Sequence, residues 1–580
     1  MADLRLPMHQ TEGQQDWIEI EHSETRTSRG LACTEPIVER IARIQADARE
    51  LSEYYKVESS TSRYKRLHEF YASEIDSLRE LAFDSYNQDE KVDYLLVQNY
   101  LARAQRTLDL ERLRNDDYAE FVDPFAKTIE EWVGARMRVD TIESKEAAES
   151  LDLMTINIAN CKDIIKNAKR GAYSKATGYR AAKTVETLRA HLKETYDFYA
   201  GYDPVWDWWV REPFTRIDTA LGAYRDFIRQ ELVGIQPGDE DVIVGEPIGR
   251  DGLLTELKAE MIPYSPEELI RIAEKEYSWC ETEMIKASRE LGFGDKWRDA
   301  LEHVKGLIEP PGAQPVFIKS LVDQATEYVK KHDLVTVPRV AEEAIRMKMM
   351  SPSRQKVSPF FLGGPELIVS YPTSDMSHAD KMMSMRGNNR HFSKATAFHE
   401  MIPGHHLQLF VAERVKPHRQ MFETPFYIEG WALYWEMLFW SRGDFFTRPE
   451  DRVGTLFWRM HRCARIVFSL KFHLGRMTPA ECIDLLVNWV GHERANAEGE
   501  VKRSFNGDYS PLYQAGYLLG ALQLWRFRGE VVGQGLMGDK EFHDRILRSN
   551  MMPVELLRAL ILNQDLDKDF KSSWRFYGDI

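Results

Sequence analysis

Residues 35–57, EPIVERIARIQADARELSEYYKV, place apolar side chains three and four positions apart, with charges between them. Only an α-helix gathers that spacing into one face. The same period returns in SEIDSLRELAFDSY, VDYLLVQNYLARAQRTLDLERLRND and GYRAAKTVETLRAHLKETYDFYAGYD. It returns again in SPEELIRIAEKEYSWCETEMIKASRELGFG, residues 265–294, which also carries end signals. Ser265 and Glu268 suit a capping box, Pro266 suits the first turn, and glycines follow the end. The pattern predicts a mainly α fold. ELIVSY, residues 366–371, lies between GGP and Pro372 and is the best strand candidate. It predicts a small β-sheet just upstream of a histidine cluster.

Two breaks interrupt the helical pattern. VGIQPGDEDVIVGEPIGRDG, residues 233–252, is rich in Gly, Pro and Asp, and IEPPGAQP ends near residue 315. A chain of 580 residues exceeds what one small core needs. We therefore expect a two-lobed molecule, with an N-terminal helical lobe at 1–240 and a C-terminal catalytic lobe at 253–580.

Several function classes fall away. A net charge of −15 lacks the basic face that nucleic acid requires. No apolar run approaches the roughly 20 residues of a membrane span. The opening stretch MADLRLPMHQTEGQQDW lacks the pattern of a signal peptide, so a cytoplasmic location is expected. Cys33, Cys161, Cys280, Cys463 and Cys482 are scattered, without a CxxC pair, against a disulfide framework or a thiolate metal site. Cys463 and Cys482 read as small core residues. GxSxG, GxxxxGK[ST] and strand-linked GxGxxG motifs are missing. WDWWV, residues 206–210, reads as packed helix core. Nothing fixes an oligomeric state.

The chemistry concentrates in TAFHEMIPGHHLQLF, residues 396–410. A zinc hydrolase holds its metal with imidazoles and carboxylates and keeps a fourth position for water. Two helical histidines share a metal at i and i+4, and a glutamate after the first serves as base. Here His399-Glu400 supplies the first half, but the fourth position on is Pro403. His405 and His406 follow at i+6 and i+7. On a straight helix the first points about 120° away and the second lies roughly 10 Å further along. Pro403 and Gly404 mark a place for a bulge that loops out two residues and returns His405 to the i+4 place. A third ligand comes from FYIEGWALYWEMLFW, residues 426–440, an apolar helix carrying Glu429 and Glu436. An acid there must be paired, ligated or protonated, and Glu429 is the stronger candidate.

His399-Glu400, PGHHLQ and EGWALYWE resemble the family catalogued as domain of unknown function 885, with its HExxPGHH segment and EGWA helix. GEPIGRDGLLTELK, HLGRMTPAE, EGEVKR and SPLYQAG extend the likeness to about residues 50–570. That family in turn resembles the gluzincin metallopeptidases. The resemblance implies a helical metallopeptidase-like fold, zinc held by His399, His405 and Glu429, and Glu400 as catalytic base. The gap of 24 from His405 to Glu429 is similar to that of angiotensin-converting-enzyme-like peptidases and favours His405 over His406. Two departures stand out. Met401 replaces a small glycine, and Ser469-Leu470-Lys471 replaces an Asp-Thr-Gly before His473.

Amide hydrolysis develops an oxyanion that a donor opposite the metal stabilises. SPLYQAGY offers Tyr513 and Tyr517, and the family pattern points to Tyr513. His473 is a second candidate donor. Arg503 is a candidate for gripping a substrate carboxylate, with Tyr517 beside it. The strand ELIVSY is a candidate for pairing with an extended peptide. The implied activity is hydrolysis of short peptides or other amides. The alternatives are a zinc enzyme repurposed for a natural-product intermediate, and a non-catalytic helical scaffold. In the scaffold, His406 or Glu436 would close the metal site.

Overall fold

The computed structural model describes residues 35–578, except 170, 237, 240, 241, 352–354, 356–359 and 508. Cys33 and the opening stretch lie outside the described residues. The fold is mainly helical, as the periodicity predicts. Helix Ile37–Tyr54 buries Ile37, Ile41, Ile44 and Ala48, the stripe read in its sequence. Helix Pro266–Glu290 opens on a reciprocal cap. The Ser265 hydroxyl accepts from the Glu268 N–H, and the Glu268 carboxylate accepts from the Ser265 N–H at 2.7 Å.

Among the described residues, two large apolar cores and a small third one around Ile318, Leu367 and Met401 organise the chain. The larger takes in residues between Ile37 and Leu101 and again between Leu253 and Phe576. The smaller of the two large cores is closed by the helices between Tyr118 and Ile228. In the smaller core, WDWWV divides. Trp206 and Val210, four apart on helix Pro204–Ile228, are buried, whereas Trp208 is 82% exposed and Trp209 41%. The packed-core expectation fails for the latter two because Trp208 sits roughly 200° around the helix from Trp206.

The sheet has two strands, β1 (Met347–Met349) and β2 (Leu367–Val369), paired in parallel with Met347 opposite Leu367. The second edge of β2 is also used. Ile368 exchanges both backbone hydrogen bonds with Leu362, at 2.8 and 3.0 Å. Peptide pairing along ELIVSY is therefore contradicted, because the N–H and C=O that strand addition needs at Ile368 are occupied.

Helix Pro425–Arg442 is apolar on every side and runs through the large core, started by a Thr424 cap and ended by Gly443 at φ 74°. It lies against helix Tyr513–Val531 at a glycine contact. A Cβ on Gly520 would stand 2.1 Å from the Phe426 carbonyl oxygen, and one on Gly430 would stand 2.7 Å from Gly520 Cα. This approach brings Glu429 to Tyr513. Helix Pro449–His473 crosses helix Arg390–Glu400 and pins it. Trp458 Nε1 donates to the Phe392 carbonyl at 3.1 Å, and Asp451 takes His391 and Lys394 at 2.7 Å each.

Candidate metal centre

His399 lies in the last turn of helix Arg390–Glu400, whose first turn is capped by Asn389. The helix stops at Met401. The chain passes through a cis Ile402–Pro403 bond and restarts as helix His405–Ala412. The expected bulge within one helix is thus a break between two helices. The Gly404 N–H returns to the Phe398 carbonyl at 3.0 Å, and a Cβ on Gly404 would stand 1.9 Å from the His399 carbonyl oxygen. Only glycine permits that approach. It sets the His399 and His405 rings 4.9 Å apart, nearly perpendicular.

Glu429 completes the group. One ligand atom from each of His399, His405 and Glu429 falls within 4.8 Å of the others, and all three residues are buried. Glu429 Oε2 is 3.0 Å from His405 Nε2 and 3.5 Å from His399 Nε2. Tetrahedral ligands about 2.0–2.1 Å from a zinc ion stand about 3.3 Å apart, so the donor set and its spacing fit that metal. Three protein ligands also leave a fourth position.

Neither candidate for closing the site belongs to this group of ligand atoms. His406 directs Nδ1 to the Gly364 carbonyl at 3.1 Å and Nε2 to the Ala341 carbonyl at 2.8 Å, so neither nitrogen is free. Glu436 accepts from His399 Nδ1 at 2.8 Å and from Arg462 at 3.2 Å. That carboxylate fixes the ring so that Nε2 faces Glu429, the usual support for a metal-binding imidazole. Its position two turns after Glu429 on the same face was the available sequence signal.

The electrostatics follow from burial and proximity. Burial opposes charge on the His399 ring, but its bonds to Glu429 and Glu436 raise it to about 9. Burial would raise Glu429, yet His405 and His399 hold it well below the usual carboxylate range. Burial raises Glu400, and His399 and His405 only partly oppose it.

These residues line a cavity of about 270 Å³. His399, Glu400, His405, Glu429, Arg503, Tyr513 and Tyr517 all reach it. The Tyr513 hydroxyl donates to Glu429 Oε1, and Tyr517 lies 6.3 Å from the His399 ring and parallel to it. His473 is not among the lining residues. Its Nδ1 accepts from the Ile248 N–H at 3.4 Å. The role expected of His473 at the reaction centre is therefore corrected. It stands eight residues past Arg465, about 12 Å further along the helix axis. Ser469, also beyond the cavity, is buried with no hydrogen-bond partner for its hydroxyl. Sequence reasoning missed Arg462 and Arg465 as cavity residues.

The family model described as "Bacterial protein of unknown function (DUF885)" matches residues 51–561. Among solved structures, the chain is similar to "a putative lipoprotein of unknown function" from Shewanella oneidensis. The identity is 16% and the TM-score 0.66, over 91% of this chain and 100% of that one. It is also similar to the "putative lipoprotein" from Colwellia psychrerythraea, at 16% identity and TM-score 0.57, over 92% and 99%. These likenesses concern the fold alone. No curated protein matches the chain.

Proposed function

This chain belongs to the DUF885 family, and on that premise we propose that it is a zinc-dependent hydrolase of amide bonds in short peptides or peptide-like molecules. One observation carries the reading. Two imidazoles and a carboxylate converge on a cavity wall that also presents Glu400. His399, His405 and Glu429 would hold the zinc. Zinc bound there supplies Lewis acidity toward a carbonyl and toward water.

The remaining work falls to the chain. Glu400 removes a proton from the attacking water as its oxygen bonds to the amide carbon. The C–N bond then breaks, and Glu400 returns the proton to the leaving amine. Tyr513, which holds Glu429 before substrate enters, turns its hydroxyl to the developing oxyanion. Glu436 keeps His399 in the orientation that presents Nε2.

The test is Glu400→Gln, assayed on a mixed library of short peptides with zinc content measured in parallel. Loss of cleavage with zinc retained supports the reading; full cleavage by the variant refutes it. We further propose that the enzyme works in the cytoplasm. Fractionation of the native protein checks this, and recovery in a membrane fraction, as the names of the two neighbours would suggest for those proteins, would refute it.

A further inference from the structure

Three arginines, Arg462, Arg465 and Arg503, line the cavity beside the triad, each at most 8% exposed. Each guanidinium lies over an aromatic ring. Arg462 is 5.0 Å from the Trp458 centroid, Arg465 is 4.4 Å from Tyr517, and Arg503 is 5.3 Å from Tyr509. Stacking of this kind fixes a planar cation in advance of any ligand.

The ion pairs of the three arginines are shared, not one to one. Glu500 takes Arg465 at 2.7 Å and Arg503 at 3.2 Å. Glu436 takes Arg462 at 3.2 Å on the oxygen that already accepts from His399. Three guanidinium groups thus share two carboxylates. Nε and Nη1 of Arg462 are buried without a hydrogen-bond partner, as is Oε2 of Glu436. Buried donors on a cation are costly to leave unpaired, and an anionic ligand would satisfy them.

The cluster is close to the triad. Tyr517, which carries Arg465, lies 6.3 Å from the His399 ring, and Glu436 bridges Arg462 to His399. One extended residue spans about 3.3–3.6 Å. An anion one residue past the scissile carbonyl reaches this group. The forked donors of arginine match a carboxylate.

We infer that Arg462, Arg465 and Arg503 form a carboxylate subsite, and that the substrates are N-acyl amino acids, including short peptides cut at their last amide bond. The cut depends on the hydrolase reading above; the binding of the carboxylate does not.

The experiment uses zinc-loaded, full-length protein and a panel of acetyl dipeptides with varied last residues, each as free acid and as terminal amide. Calorimetry with the matching N-acetyl amino acids and their amides runs alongside, on wild type and on Arg503→Met and Arg503→Lys. The acids are expected to exceed the amides in kcat/KM by about 30- to 100-fold. That preference falls toward one in Arg503→Met and returns in part in Arg503→Lys, with zinc content unchanged. Equal cleavage of acids and amides overturns the subsite and leaves the hydrolase standing. Selective binding of acids without cleavage keeps the subsite and overturns the hydrolase. If no acid in the panel is bound or cut, the subsite is overturned. Should Arg503→Met fail to fold, the acid-to-amide comparison on wild type decides alone.

Discussion

His405 Nε2 stands 3.0 Å from Glu429 Oε2, although the two residues belong to different helices 24 positions apart. The contact exists because Gly404 lets the chain turn back onto the carbonyl of His399. It separates His405 from its neighbour His406, whose nitrogens both face backbone carbonyls.

Metal content therefore discriminates between adjacent histidines. Wild type purified without added metal should carry about one zinc per chain. His399→Ala, His405→Ala and Glu429→Ala should lose it, and His406→Ala should keep it. Plasma mass spectrometry on the four variants reads this directly. Zinc retained by His405→Ala but lost by His406→Ala would reverse the assignment.

Glu436 should tune affinity without being a ligand. Glu436→Gln keeps a hydrogen-bond partner for His399 but removes the charge, and should weaken zinc binding about 10- to 100-fold. Competition with a chromophoric chelator measures the constant. An unchanged constant would mean that the 2.8 Å bond to His399 does not support the metal.

The glycine contact between helices 425–442 and 513–531 should be intolerant. Gly520→Ala forces a methyl into the space of the Phe426 carbonyl, and should cost about 1–3 kcal/mol or more. A urea unfolding series gives the value, and a neutral result would show that the helices part freely.

WDWWV should divide energetically as it does in space. Trp206→Ala should cost about 3–5 kcal/mol, and Trp208→Ser should stay within about 0.5 kcal/mol. Equal costs would contradict the observed burial.

The buried rings of His473 and His492 should each make a contribution to stability that acid removes. Burial, with Arg114 nearby, lowers His473 to about 4, and burial lowers His492 to about 3. Both rings charge near pH 6.5 in the unfolded chain, so between pH 6.5 and about 4 the unfolded state binds more protons. The contribution of these two rings is full above pH 6.5 and falls as pH drops, by up to about 1.4 kcal/mol per pH unit for each ring. In urea midpoints at pH 7, 6 and 5, His473→Asn should lose less stability on acidification, relative to its own value at pH 7, than wild type does. The same pH dependence in variant and wild type would contradict this.

The sequence by itself determined the helices, because period, caps and glycine stops are properties of neighbouring residues. It yielded the cap at Ser265, the helix bearing Glu429 and an irregularity at Pro403-Gly404, though as a bulge within one helix and not the break between two. Through the resemblance it also yielded the family. Tertiary structure decided what depends on the path between elements. The direction in which Gly404 turns the chain sets His405 apart from His406. The distance along helix 449–473 brings Arg462 and Arg465 to the cavity and carries His473 past it. The single carboxylate of Glu500 is shared by two arginines that the sequence separates by 38 positions. Local patterning carries no information on such contacts, because each is fixed by packing between segments tens of residues apart.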